Sequence, residues 1–136
     1  MQTIADAGVR ADVTRRLASI TATTPRVWGR MDAHQMLTHL GDAADAVLKR
    51  RPFAVPPRRG NPLLKWVALV LPLPWPRGFR TGADPASRVL SAEDFAASLG
   101  RAVRSLEDLA GAPEGGLVDR HPLFGPMSHR QWKRWA

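Results

Sequence analysis

The chain has no cysteine in its 136 residues, which excludes disulfide frameworks, thiolate metal sites and cysteine nucleophiles. Lysine is scarce as well, with three against 17 arginines. The N-terminal stretch MQTIADAGVRADVTRR has no apolar core of the kind a secretory signal needs, so a reducing cytoplasm is the expected location. The longest apolar run, LLKWVALVLPLPWP at 63–76, is broken by Lys65 and three prolines. It falls short of the roughly 20 residues that span a bilayer. It reads as a buried helix with an extended tail, the alternative being a segment lying on a membrane surface. There is no G-x-S-x-G elbow, no glycine-rich phosphate loop, and no serine that spacing pairs with a histidine. Alternating β-branched runs are missing too, so strands are not expected.

What is present suits one globular domain over 1–136, with 44% apolar residues. The net charge of +8 raises nucleic-acid binding as a hypothesis. Its densest cluster, Lys49, Arg50, Arg51, Arg58 and Arg59, straddles a helix end and a Pro-rich turn, where cations suit the helix dipole. Neither nucleic acid nor membrane is therefore the expected partner.

Apolar spacing lays out the helices. Val9, Val13, Leu17 and Ile20 mark a first helix over about 3–20. In the second, Asp32 and Gln35 have capping-box spacing, and Met36, His39, Leu40, Ala43 and Val47 form the inward face. That helix ends near Arg50, before Pro52. Asn61-Pro62 opens a short helix to about Leu71, and PLPWPRG then crosses the surface extended. A third long helix over about 92–110 carries Phe95, Leu99, Ala102, Val103, Leu106 and Leu109. Ser128 and Gln131 repeat the capping box before Trp132 and Trp135, and the sequence stops about two turns later. Amphipathic helices joined in this way predict an all-α, antiparallel bundle.

The four histidines are the candidates for neutral-pH acid–base chemistry or metal ligation. His39 faces inward on this spacing. His34, five residues earlier, is about 140° away around the helix and reads as a surface residue. His121 has a turn or packing role, and His129 is exposed. Asp42 and Asp45 flank the core stripe as solvated charges, with Asp42 one turn from His39.

The strings RVWGRMDAHQMLTHLGDA, PLPWPRG and HPLFGPMSHRQWKR, in this order, resemble an uncharacterised subgroup of the DinB-like superfamily along nearly the whole chain. The resemblance implies a four-helix bundle, here with a shortened last helix. It also implies a divalent metal, zinc or nickel, held by three histidines on facing helices. His39 matches the ligand on the HQMLTHL helix. The other two form an H-x-x-x-H pair beyond the SHRQWKR-like motif, and no residue of this sequence matches them. His121 and His129 correspond to no ligand position.

Some members of that superfamily are metal-dependent enzymes acting with small thiols such as mycothiol or bacillithiol. The resemblance thus implies a metal-dependent enzyme of thiol-transferase type, with an incomplete metal site and a small thiol or other small molecule as substrate. The alternatives are a non-catalytic bundle or protein-interaction module, and a basic binder of nucleic acid or membrane surfaces. A bundle lacking most of its last helix leaves an apolar groove, which predicts a homo-oligomer with Trp132 and Trp135 exposed or docked in a partner.

Overall fold

A computed structural model describes residues 2–56, 59–71 and 85–136, and it is mostly helical. The helices are α1 (Ala7–Ala18), α2 (Ala33–Val47), α3 (Pro62–Val70), α4 (Phe95–Gly111) and α5 (His129–Trp135). Short 3-10 turns stand at Pro85–Ser87 and Ala92–Asp94. Two dipeptide strands, β1 (Arg120–His121) and β2 (Gly125–Pro126), form an antiparallel hairpin before α5. The extended course expected of PLPWPRG (72–78) lies outside the described residues.

The two capping boxes form as their spacing requires. Asp32 accepts from the Gln35 backbone N–H at 2.7 Å, and the Gln35 side chain accepts from that of Asp32 at 3.0 Å. Ser128 and Gln131 repeat the exchange at the start of α5. Asn61 caps α3 by accepting from Leu64 N–H, with Pro62 in the first turn. The second helix ends earlier than Arg50, because Lys49 turns to φ +62°. Lys49 N–H then bonds the Ala46 carbonyl and Arg50 N–H that of Asp45, closing the helix in a Schellman pattern.

The bundle departs from the antiparallel expectation. Side-chain bonds join His34 to Ser98, Asp42 to Arg101, Asp45 to Ser105 and Arg50 to Asp108. The partners ascend together along both segments, so α2 and α4 run parallel. The long connection that carries α3 makes this possible, returning the chain to the level at which α2 began. Leu17, near the end of α1, packs with Leu37 and Ala102, beside Met36, Phe95 and Leu99 from the starts of α2 and α4. Helix α1 therefore runs against both.

A second apolar cluster sits at the other end, where Val47, Leu109, Leu117, Phe124, Met127 and Trp132 pack with Ile4 and Leu69. The seven-residue α5 survives because this cluster takes up its aromatic side chains. Trp132 is fully buried and its indole N–H donates to the Val118 carbonyl at 2.6 Å. Trp135 is half-buried and meets Trp132 edge-on with centroids 5.4 Å apart. Both tryptophans are thus docked within their own chain, contrary to the expectation of exposure or docking in a partner. Lys133 is buried too, and its ammonium donates to the carbonyls of Leu109, Ala110 and Ala112 at the end of α4.

Close backbone contact seats α3 on the hairpin. Gly60 and Gly125 both have positive φ, +79° and +72°, and a Cβ on Gly60 would lie 2.6 Å from the Gly125 Cα. A side chain at Gly60 is excluded by this approach, and the positive φ at both positions favours glycine. Asn61 N–H donates to the Leu123 carbonyl at 3.1 Å, and the Lys65 ammonium to that of Pro126 at 2.7 Å. Leu64, Ala68 and Leu69 then face the core, while Leu63, Trp66 and Val70 remain 70%, 52% and 40% exposed. The 63–76 run is buried on one side only over its described part. Among the described residues, no helix is long and apolar enough to cross a membrane.

Candidate functional site

The polar residues of α2 gather on two sides of the helix. One side, with His34, Thr38, Gly41 and Asp45, is buried in the seam with α4. The face expected to point inward is thus rotated, since His34 is buried at 8% exposure and His39 is only half-buried. At 100° per residue His39 lies about 160° from Leu37, which is fully buried. The two histidines exchange their expected roles because Phe95 and Ser98 of α4 meet the first turn of α2. His34 Nε2 is 2.8 Å from Ser98 Oγ, and its ring meets Phe95 edge-on at 5.5 Å.

Asp42 and Asp45 are not solvated charges. Asp45 accepts from Arg101 Nε at 3.0 Å and Nη2 at 2.7 Å, from Ser105 at 2.8 Å and from Arg50 at 3.3 Å. Asp42 accepts from Arg101 at 2.7 Å, from Arg88 at 2.6 Å and from Arg51. Burial pushes both carboxyls up. Hydrogen bonds from Arg101 outweigh it, helped by Arg88 and Arg51 at Asp42 and by Ser105 and Arg50 at Asp45, and hold both below the usual carboxylate range. The Arg101 side chain crosses α2 at Gly41, 3.6 Å from where a Cβ would stand, which is ordinary contact distance. The basic cluster at the end of α2 is likewise engaged inside the chain. Lys49 donates to the Gly115 carbonyl, Arg50 also pairs with Asp108, and Arg51 pairs with Asp42.

His39 sits on the other side of α2, between Gln35 and Asp42 in helical spacing. A strap at residues 85–88 crosses this side. Gln35 Nε2 donates to the carbonyls of Ala86 and Arg88 at 3.0 and 2.8 Å, and Arg88 reaches on to Asp42. Burial pushes the His39 pKa down, Asp42 pulls it up and Arg88 pushes it down, with a net lowering. The lowering favours the neutral imidazole over the imidazolium.

These residues do not assemble a metal site of their own. Among the described residues, no group of three His, Cys, Asp or Glu side chains comes together. The carboxylate next to His39 is bound by three guanidiniums, whose charge opposes a dication. The other histidines are engaged elsewhere. His121 Nδ1 accepts from the Leu123 and Phe124 backbone N–H groups at 3.0 and 3.2 Å, and the ring stacks on Phe124 at 4.4 Å, which is the packing role expected. Burial lowers its pKa to about 4. His129 is half-buried rather than exposed, and its Nε2 donates to the Ala112 carbonyl at 2.9 Å. An open cleft lined by Thr3, Asp6, His129, Arg130 and Lys133 lies beside it and does not include His39.

Sequence reasoning missed the His34–Ser98 contact and the guanidinium clamp, because both join residues about 60 positions apart. The one available signal was the pairing of Asp42 and Asp45 with the surplus of arginine. Comparison of the chain with protein-family models, with curated proteins and with solved structures finds no match.

Proposed function

We propose that the protein is a helical bundle of the DinB-like kind acting as an interaction module, with the outer face of α3 as its contact surface. One observation carries this reading. Leu63, Trp66 and Val70 share a sector about 60° wide on one helix, and all three are exposed. The opposite sector holds the core contacts of Leu64, Ala68 and Leu69, so the helix is fixed with its apolar outer face presented. Apolar surface of this kind on an anchored helix is what a binding partner covers. Sedimentation equilibrium with hydrophobic-dye binding, on the native chain and on Trp66→Ser, tests the reading. Association or dye binding that depends on Trp66 supports it, and a dye-silent monomer rejects it.

A second reading keeps the metal-dependent thiol chemistry that the family resemblance implies. It is favoured by His39, a half-buried imidazole on the helix of the HQMLTHL motif, whose pKa burial lowers. It requires further ligands beyond the described residues, from another subunit or another segment. Metal analysis of purified protein, with His39→Ala beside it, separates the two readings. Stoichiometric zinc or nickel lost on that substitution supports the enzyme, and metal-free protein with no thiol-dependent turnover rejects it.

A further inference from the structure

We infer that the partner of the α3 face is an anionic lipid surface, an inference that rests on the interaction-module reading above. The net charge of the chain is not spread evenly. Residues 46–83 contain eight arginines and lysines and no aspartate or glutamate, whereas acids and bases balance over the remainder. The entire surplus of +8 thus belongs to the stretch that carries α3. Arg59 is exposed immediately before the helix, and the Arg134 guanidinium bonds the Val70 carbonyl at its far end. An apolar face holding a tryptophan and bounded by cations is the composition that lies in a bilayer interface. There the indole sits at the headgroup level and the cations meet anionic phosphates.

The same charge argues against the other occupants. A second copy placed face to face would bring the cations at the two ends of α3, Arg59 and Arg134, against those of the other copy in a chain of net charge +8. Nucleic acid would leave the aliphatic Leu63 and Val70 without a matching surface. A nine-residue helix is about 13 Å long, so its apolar contact is small and binding depends on the anionic charge of the lipid.

The test is co-sedimentation of the full chain with vesicles of phosphatidylcholine, alone or with a third of phosphatidylglycerol. The native chain is expected to pellet with the anionic vesicles only, and to be released by salt. Leu63→Ser and Trp66→Ser are each expected to lower the partition coefficient about tenfold. Leu63 is 70% exposed, so its substitution leaves the fold intact if Trp66→Ser does not. Equal pelleting of Leu63→Ser, or equal pelleting with both kinds of vesicle, overturns the proposal. Sedimentation velocity with dye binding on the same samples separates the two inferences. Trp66-dependent self-association or dye binding, without vesicle binding, overturns the lipid proposal alone, while a dye-silent monomer that binds no vesicles overturns both.

Discussion

Arg101 grips Asp45 with two nitrogens, Nε at 3.0 Å and Nη2 at 2.7 Å from the same carboxylate oxygen, and the Nη2 also meets Asp42 at 2.7 Å. This one guanidinium fixes the register between two parallel helices. Both carboxylates are well shielded, with side chains 13% and 16% exposed. Truncating one partner therefore leaves charge without compensation in a poorly hydrated seam.

Asp45→Ala is accordingly expected to lower unfolding free energy by about 2–3 kcal/mol, measured by urea denaturation at pH 7. Adding Arg101→Met should cost less than the sum of the two single changes, since each substitution removes the other's partner. Strict additivity would show that the clamp contributes nothing as a pair. The same carboxyls set an acid limit. Their folded pKa values lie below the unfolded value of about 3.9, so their contribution is complete above that pH. It is lost as pH falls through the folded values.

His121 governs a different window. Its folded pKa of about 4 lies below the unfolded value of about 6.5, so between these the unfolded chain binds the extra proton. Stability should fall as pH drops from about 6.5 to about 4, by about 2 kcal/mol once partial exposure is allowed for, and this group adds no further loss below that. The geometry gives the cause, because Nδ1 accepts two backbone N–H groups and a proton there removes the acceptor. The ring's other neighbours, Phe53, Trp132 and Trp135, offer no charge to stabilise an imidazolium. His121→Phe should be less stable at pH 7 yet flat across this window, and an unchanged slope in its pH profile would falsify the assignment.

Two glycines should respond in opposite directions. Gly60→Ala forces a Cβ to 2.6 Å from the Gly125 backbone at φ +79°, where nothing flexible can yield, and a cost of about 3 kcal/mol is expected. Gly41→Ala places its Cβ at ordinary contact distance, 3.6 Å from Arg101, in the middle of α2. There the gain in helix propensity should stabilise by about 0.5–1 kcal/mol. Thermal melts of the two variants beside the native chain check both signs.

The local part of the fold was legible and the long-range part was not. Asp32 with Gln35, Asn61 with Pro62, and Ser128 with Gln131 announce helix starts because a cap is satisfied within three residues. Which side of α2 turns inward is a different problem. Met36, Leu37, Leu40, Ala43 and Ala44 spread apolar surface widely around that helix, so the choice falls to whatever α4 presents. Ser98, Arg101 and Ser105 select the side with His34 and Asp45, leaving His39 under the strap. Apolar periodicity carries no sign of direction, so the parallel course of α2 and α4 was hidden as well. The burial of Trp132 depends on the hairpin before it and on Ile4 at the other end of the chain.

Lys133 shows how two such distant pieces are joined. Its ammonium donates to the Leu109, Ala110 and Ala112 carbonyls at the C-terminal end of α4, where backbone carbonyls run short of intrahelical donors. Its own carbonyl accepts from Ile4 N–H at 2.9 Å, so one residue ties α5 to both α4 and the N-terminal segment. Lys133→Met keeps the length and apolar stem of the side chain while removing all three donors. A loss of about 2 kcal/mol is expected, concentrated locally. Backbone hydrogen exchange should accelerate in α5 and at Ile4 before it does in α2, and near-ultraviolet dichroism from the Trp132–Trp135 pair should weaken. Uniform acceleration across all helices would show instead that the lysine supports the bundle as a whole.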